Sequence, residues 1–255
     1  MTASVAFMVT CLGDVFYPEV GERIVRLLRG LGVTVEFPPG QTCCGLPLFN
    51  SGYHAEAAAV ARRTLQVFSA TESPVVVPSG SCAWMVKHEY PGLMSAPGDR
   101  AAAGRLAGRT YELSQFLVRA GSQRFRSAVR GRLTYHDSCH LLRGLHESRS
   151  PRVLLKGLPE TEFVELPGSE ECCGFGGSFS VRLPEVSTAI LDKKLASVEA
   201  TGADCLVACD AGCLMQMRGG LARRRSRVQA LHLAEVLDVE NPEGSGQPGE
   251  GAPRT

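Results

Sequence analysis

The sequence predicts an α/β protein: two tandem, duplicated α/β halves with mainly parallel sheets, and cysteines at the C-terminal ends of strands. Three observations predict it. The same cysteine pattern occurs twice: Cys11, Cys43-Cys44-Gly45 and Cys82, then Cys139, Cys172-Cys173-Gly174 and Cys213. The steps are 32 and 38 residues in the first set, and 33 and 40 in the second. Around each set, short β-branched runs alternate with amphipathic segments, the mark of strand–helix–strand units. Each cysteine group also follows a run that reads as a strand, and in open parallel sheets ligand sites gather beyond the carboxyl ends of strands.

Ser4 to Thr10 is a short apolar run read as a strand, and Cys11 follows it at once. Glu22 to Leu31 has helical periodicity and stops at Gly32, a helix-stop signal. Val33 to Phe37 is β-branched and aromatic, as strands are, and Pro38, Pro39 and Gly40 lead into Cys43-Cys44. Tyr53 to Ser69 is Ala-rich and amphipathic, hence a helix. Pro74 to Val77 reads as a buried strand, with Ser79-Gly80-Ser81 opening the loop to Cys82. Ser95 to Gly108 is rich in Ala, Gly and Pro, and Thr110 to Arg119 reads as a helix.

The second half repeats the order. Leu133 to Tyr135 leads to Cys139, and Phe163 to Leu166 leads to Cys172-Cys173. Glu185 to Ala200 is a helix, and Cys205 to Val207 a strand leading toward Cys213. Val228 to Leu231 reads as an added strand, and Leu233 to Leu237 as a closing helix. The resulting division is a first cysteine-rich repeat over 1–125 and a second over 126–240. Residues 241–255, rich in Gly, Pro, Glu and Ser, are expected to form a disordered tail.

With 44% hydrophobic and 21% charged residues, a chain of 255 residues can bury ordinary cores. Its 27 basic and 26 acidic residues leave a net charge of +1, so no general attraction to nucleic acid is expected. Arg223-Arg224-Arg225 with Arg227 reads as a solvated face. Met1 to Val9 lacks a basic n-region and a cleavage site, and no apolar run reaches the ~18 residues of a spanning helix. A cytoplasmic protein without a transmembrane segment is the expectation. In a reducing compartment, ten cysteines argue for metal binding rather than a disulfide scaffold.

Four thiolates can hold a [4Fe–4S] cluster or a structural zinc. Structural zinc sites usually use close Cys-x-x-Cys pairs, which neither set has. Three separate loops of a large scaffold suit a bulkier cluster, so one iron–sulfur cluster per repeat is expected, with zinc the alternative. The candidate ligands are Cys11, Cys43, Cys44 and Cys82, then Cys139, Cys172, Cys173 and Cys213. Gly45, Gly174, Gly176 and Gly177 are candidate cofactor-binding residues, since glycine lets the backbone approach a cluster and point N–H groups at its sulfurs. A simple tight turn is the other reading of the Gly-Phe-Gly-Gly stretch.

Cys205 reads as core, and Cys209 as either a fifth ligand or a spare thiol. His136 and His140 flank Cys139 and suit a supporting or polar-core role. His54, His88, His146 and His232 read as structural. No nucleophile elbow, zinc-protease helix or P-loop is present, so hydrolase and kinase chemistry has no support, and no catalytic residue is named.

Several stretches resemble the cysteine-rich CCG family of iron–sulfur proteins, which includes the B subunit of heterodisulfide reductase and the iron–sulfur subunit of glycolate oxidase. They are VTCLGD, GQTCCGLPLFNSGY and VPSGSC in the first half, and HDSCH, LPGSEECCGFGGSFSV, DAGCLMQM and HLAEVL in the second. The similarity runs from about residue 4 to residue 239 and is strongest to the lactate-utilization branch. It implies an electron-carrying subunit of a complex that oxidises L-lactate to pyruvate, with lactate utilization proteins B and C as partners. One departure is informative. Heterodisulfide reductase repeats often end in Cys-x-x-Cys, whereas Ser79 and Asp210 stand three residues before Cys82 and Cys213. That count fits a four-thiolate cluster, puts direct disulfide chemistry in doubt, and leaves Asp210 as a poor extra ligand for a soft centre. A cluster-based thiol–disulfide oxidoreductase using Cys209, and a zinc-stabilised scaffolding module, are the competing functions.

Overall fold

A computed structural model describes residues 4–121 and 125–239; the expected tail lies outside the described residues. In the first half, strands β1 (Ser4–Phe7), β2 (Thr34–Glu36), β3 (Val75–Val77) and β4 (Thr110–Glu112) form a parallel sheet in the order β2-β1-β3-β4. A short strand β5 (Phe125–Ser127) precedes the second half. There β6 (Gly131–Tyr135), β7 (Thr161–Phe163), β8 (Cys205–Ala208) and β9 (Gln229–His232) form a parallel sheet in the matching order β7-β6-β8-β9. Strand β10 (Leu237–Val239) pairs antiparallel with β5.

Three predicted elements differ. Thr110 to Arg119 is not one helix: Thr110–Glu112 is β4, pairing with β3 from Val75↔Thr110 to Val77↔Glu112. The helix begins only at Leu113. The strand was hidden because three residues are too few for their periodicity to speak against the amphipathic run that follows. By the same comparison β9 is not an addition but the counterpart of β4. The expected closing helix is a single turn, Leu233–Val236, before β10.

Both faces of each sheet are covered, as parallel sheets require. Val75, Val76 and Val77 are fully buried, which is why β3 reads as an unbroken apolar run. Burying each valine contributes about 2 kcal/mol. Alternation divides the strands between two cores. Val5, Phe7, Leu133, Tyr135, Cys205 and Val207 point into one core shared by the two halves. Ala6 and Met8 face the first half's outer core, and Leu206 and Ala208 the second's.

The helices that matter for the site follow the strands. After β1 come α1 (Cys11–Phe16) and α2 (Pro18–Gly30). Val20, Ile24, Leu27 and Leu28 are buried on α2, one face of a 3.6-residue period. This helix joins the halves: Arg23 donates from Nε to Ala234 O at 3.0 Å and from a terminal nitrogen to Leu237 O at 3.3 Å. After β2 come α3 (Leu46–Asn50) and α4 (His54–Phe68), and after β3 comes α5 (Gly80–Trp84), which runs on through a π-helical turn. In the second half α6 (Ser178–Arg182) and α7 (Pro184–Ala200) follow β7, and α8 (Ala211–Arg223) follows β8. Among the described residues, no helix is long and apolar enough to cross a membrane.

Candidate metal centre

All eight repeat cysteines line one cavity of about 420 Å³ at the carboxyl ends of the two sheets. Parallel strands put every strand-to-helix loop at the same edge, so cysteines far apart in sequence converge there. Cys11, Cys82 and Cys213 lie in the first turns of α1, α5 and α8. Every cysteine is free.

Within each set the sulfurs are in contact. Cys11 Sγ lies 3.6 Å from Cys43 Sγ, and Cys44 Sγ lies 3.3 Å from Cys82 Sγ. In the second set Cys173 Sγ lies 3.2 Å from Cys213 Sγ. The first cysteine of each pair also accepts a backbone hydrogen bond: Gly45 N–H donates to Cys43 at 3.4 Å, and Gly174 N–H to Cys172 at 3.3 Å. Thiol donation from Cys11, then from Cys44, holds Cys43 far below the ordinary thiol range. Cys139 and Cys173 do the same for Cys172. The cost falls on the donors, with Cys11 and Cys139 pushed well up by donating to those sulfurs and by burial. Each set is thus a close group of sulfur donors, and a bound cation would displace its thiol protons.

The glycines divide by role. Gly45 and Gly174 adopt φ of +88° and +87°, which turns their N–H groups onto the sulfurs. A Cβ on Gly174 would sit 2.5 Å from Ser187 O. Gly176 and Gly177 line the cavity wall and lead into α6.

The halves lock together directly beneath the cysteines. Asp210 caps α8, accepting from Gly212 N at 3.0 Å on one oxygen. Its other oxygen crosses to the first half, accepting from Ser79 Oγ at 2.8 Å and Ser81 N at 3.1 Å. Ser79 and Asp210, each three residues before the last cysteine of its set, are thus hydrogen-bonded to each other. Gly80 N donates to Cys209 O at 3.2 Å, and Gly144 leaves room for the Trp84 ring.

Two sequence expectations resolve here. Cys205 is buried in the shared core, as expected. Cys209 is fully buried in the same core and does not line the cavity. Burial pushes its thiol up, and the Glu112 charge adds to this, so it is a poor nucleophile.

A model of the CCG cysteine-rich domain matches the chain twice, at residues 5–87 and 133–218. Lactate utilization protein A of Halalkalibacterium halodurans is 45% identical over 236 residues, covering 92% of this chain and 96% of that protein. The chain belongs to the lactate utilization protein A family. Two further members are the Geobacillus kaustophilus protein, 44% identical over 93% of this chain and 99% of its own length, and lactate utilization protein A 2 of Bacillus cereus, 42% identical over 91% and 97%. Among solved structures, a solute-binding protein of an ABC transporter from Conexibacter woesei aligns with a TM-score of 0.23 at 15% identity, covering 86% of this chain and 68% of that one.

In this member of the lactate utilization protein A family, the second repeat carries a residue whose sequence position suggests only a supporting or polar-core role. His136 is fully buried and neither ring nitrogen has a hydrogen-bond partner among the described residues. A ring nitrogen and the sulfurs of Cys173 and Cys213 lie within 4.8 Å of one another. Burial, reinforced by nearby Lys194, lowers its pKa to about 4, so the ring is neutral at neutral pH. His140, by contrast, packs its ring 4.8 Å from that of Trp84. His136 stands two residues after the buried Thr134, on the face of β6 opposite Leu133 and Tyr135, so strand alternation was the signal that could have singled it out.

Proposed function

We propose that this protein is an iron–sulfur electron-transfer subunit of a complex that oxidises L-lactate to pyruvate. Each repeat supplies four thiolates, Cys11, Cys43, Cys44 and Cys82 in one and Cys139, Cys172, Cys173 and Cys213 in the other, to one cluster. The observation that carries the reading is the convergence of eight free cysteines, in two sets of contacting sulfurs, on one cavity. The donor set fits the group. Soft thiolates suit iron–sulfur centres, and Gly45 and Gly174 already donate to the sulfurs such a centre would share. His136, whose ring nitrogens have no partner among the described residues, stands beside Cys173 and Cys213 and leaves room for a group bound there.

When bound, an iron–sulfur cluster supplies reversible one-electron transfer. The chain's own residues hold the thiolates, exclude water behind buried Cys44 and Cys173, and fix the backbone. Tyr90 Oη donates to Cys44 O at 2.9 Å, and Ser187 Oγ donates to Gly174 O at 2.8 Å. The names of its relatives support the lactate context, with hydride removal assigned to another component and lactate utilization proteins B and C as partners. A reducing cytoplasm is the compartment in which ten free thiols persist.

The second reading is a zinc-stabilised scaffolding module. The compact His136–Cys173–Cys213 group favours it, since zinc takes nitrogen and sulfur ligands at close quarters. Iron, acid-labile sulfide and zinc per chain in anaerobically purified protein decide between them. About eight iron and eight sulfide support one four-iron cluster per repeat. One or two zinc without sulfide would sink the electron-transfer reading.

A further inference from the structure

We propose that His136 donates a ring N–H hydrogen bond to the thiolates of the second-repeat centre, with Lys194 as a buried charge behind them, so that an electron entering the chain comes to rest on the second repeat. The proposal rests on the iron–sulfur reading above and adds a direction to it.

The two sets of cysteines match, but their surroundings do not. Aligning Cys11 with Cys139 places Met8 opposite His136; both are buried just past the first strand of their half. Met8 offers no N–H. An imidazole carries at least one whichever way it is protonated. That of His136 has no partner among the described residues and lies within 4.8 Å of two sulfurs. A thiolate is the acceptor such a buried donor lacks.

Lys194 provides an independent second difference. A Cβ on Gly45 would meet Ala57 O, and one on Gly174 would meet Ser187 O, which puts α4 and α7 in register. Lys194 then corresponds to Thr64. The hydroxyl of Thr64, an uncharged group, donates to Val60 O at 3.3 Å. Lys194 is 1% exposed, and its Nζ donates to Gly168 O at 2.5 Å and Ser169 O at 3.2 Å, beside the second set. Burial lowers its pKa, and the charges of Glu171, then Cys173, Glu170 and Cys139 act the other way.

Of the acidic groups that act on Lys194, Glu171 is itself paired with Lys193 at 2.7 Å, and Glu170 works against the difference. Asp137 is paired with Arg152 through contacts of 2.9 and 2.7 Å. Asp210 accepts from both halves and so weighs on both sets. A reduced cluster is the more negative form, and N–H donors and cations beside it raise its potential. The second repeat has both, and the first has neither at the matching positions.

The test is a redox titration of the anaerobic, iron-loaded protein followed by electron paramagnetic resonance. Two potentials are expected. In His136→Met the higher one falls by about tenfold or more in the reduction equilibrium, about 59 mV for one electron, with iron and sulfide per chain unchanged. His136→Gln, which keeps an N–H, restores part of the shift, and Met8→His raises the lower potential. Unmoved potentials in both His136→Met and Met8→His overturn the inference alone. Loss of iron from a folded His136→Met protein overturns it too, by making His136 a ligand. A wild-type protein that takes up no iron overturns this inference and the proposed function together.

Discussion

Replacing Asp210 by alanine tests whether the halves are locked where the structure places the lock. The carboxylate makes three hydrogen bonds, to Gly212 N, Ser79 Oγ and Ser81 N. Loss of the cap on α8 costs about 1 kcal/mol. Ser79 is 2% exposed; without the carboxylate the Ser81 N–H loses its acceptor, and the Ser79 hydroxyl is left with Ser81 Oγ at 3.0 Å. Each such loss to a charged partner costs about 1.5–3 kcal/mol. Because the three bonds share one side chain they do not add fully, and we expect Asp210→Ala to lose about 4 kcal/mol. Urea denaturation of the reduced, metal-free protein measures this directly. Ser79→Ala in the same background should show a coupling of about 1–2 kcal/mol with Asp210→Ala. A loss below about 1 kcal/mol, or no coupling, would refute the reasoning. Asp210→Asn separates a structural role from ligation: metal content per chain should match the wild type, and a drop would make Asp210 a ligand.

Other consequences are as concrete. Burial raises Glu112 from its ordinary 4.5 to about 7, against the bonds from Ser114 and with help from the Glu147 charge. The folded state therefore binds the extra proton, so the contribution of Glu112 to stability is greatest below about pH 4.5 and declines as pH rises through about 7. The loss reaches about 3 kcal/mol, and thermal melts of Glu112→Gln across this range should lack that slope. Gly45→Ala and Gly174→Ala both force alanine into positive φ, at about 1–2 kcal/mol. Gly174→Ala also drives Cβ into Ser187 O, so its denaturation midpoint should fall much further than that of Gly45→Ala. Cys213→Ser should reduce metal bound per chain while Cys209→Ser leaves it unchanged; equal metal in the two proteins would break the ligand assignment.

Much of the site is legible in the sequence. The duplication, the strand before each cysteine group and the eight cysteines that line the cavity follow from spacing and local periodicity, because both are written in residues close along the chain. Cys209 is nearly legible as well: two-residue alternation along β8 puts it on the face of Cys205 and Val207. Strand β4 is not, since three residues before a helix carry too little periodicity to be separated from it.

What the sequence by itself determined is the repeated scaffold and the chemistry of its thiols. The tertiary structure decided how the repeats differ and how they meet. Whether Asp210 reaches Ser79, 131 residues away, depends on two loops packing against each other. Whether His136 faces Cys173 and Cys213 or a polar core depends on sheet register and on helices that begin tens of residues later. Periodicity places a side chain on one face of its own element, but only the packing of other elements determines what that face meets.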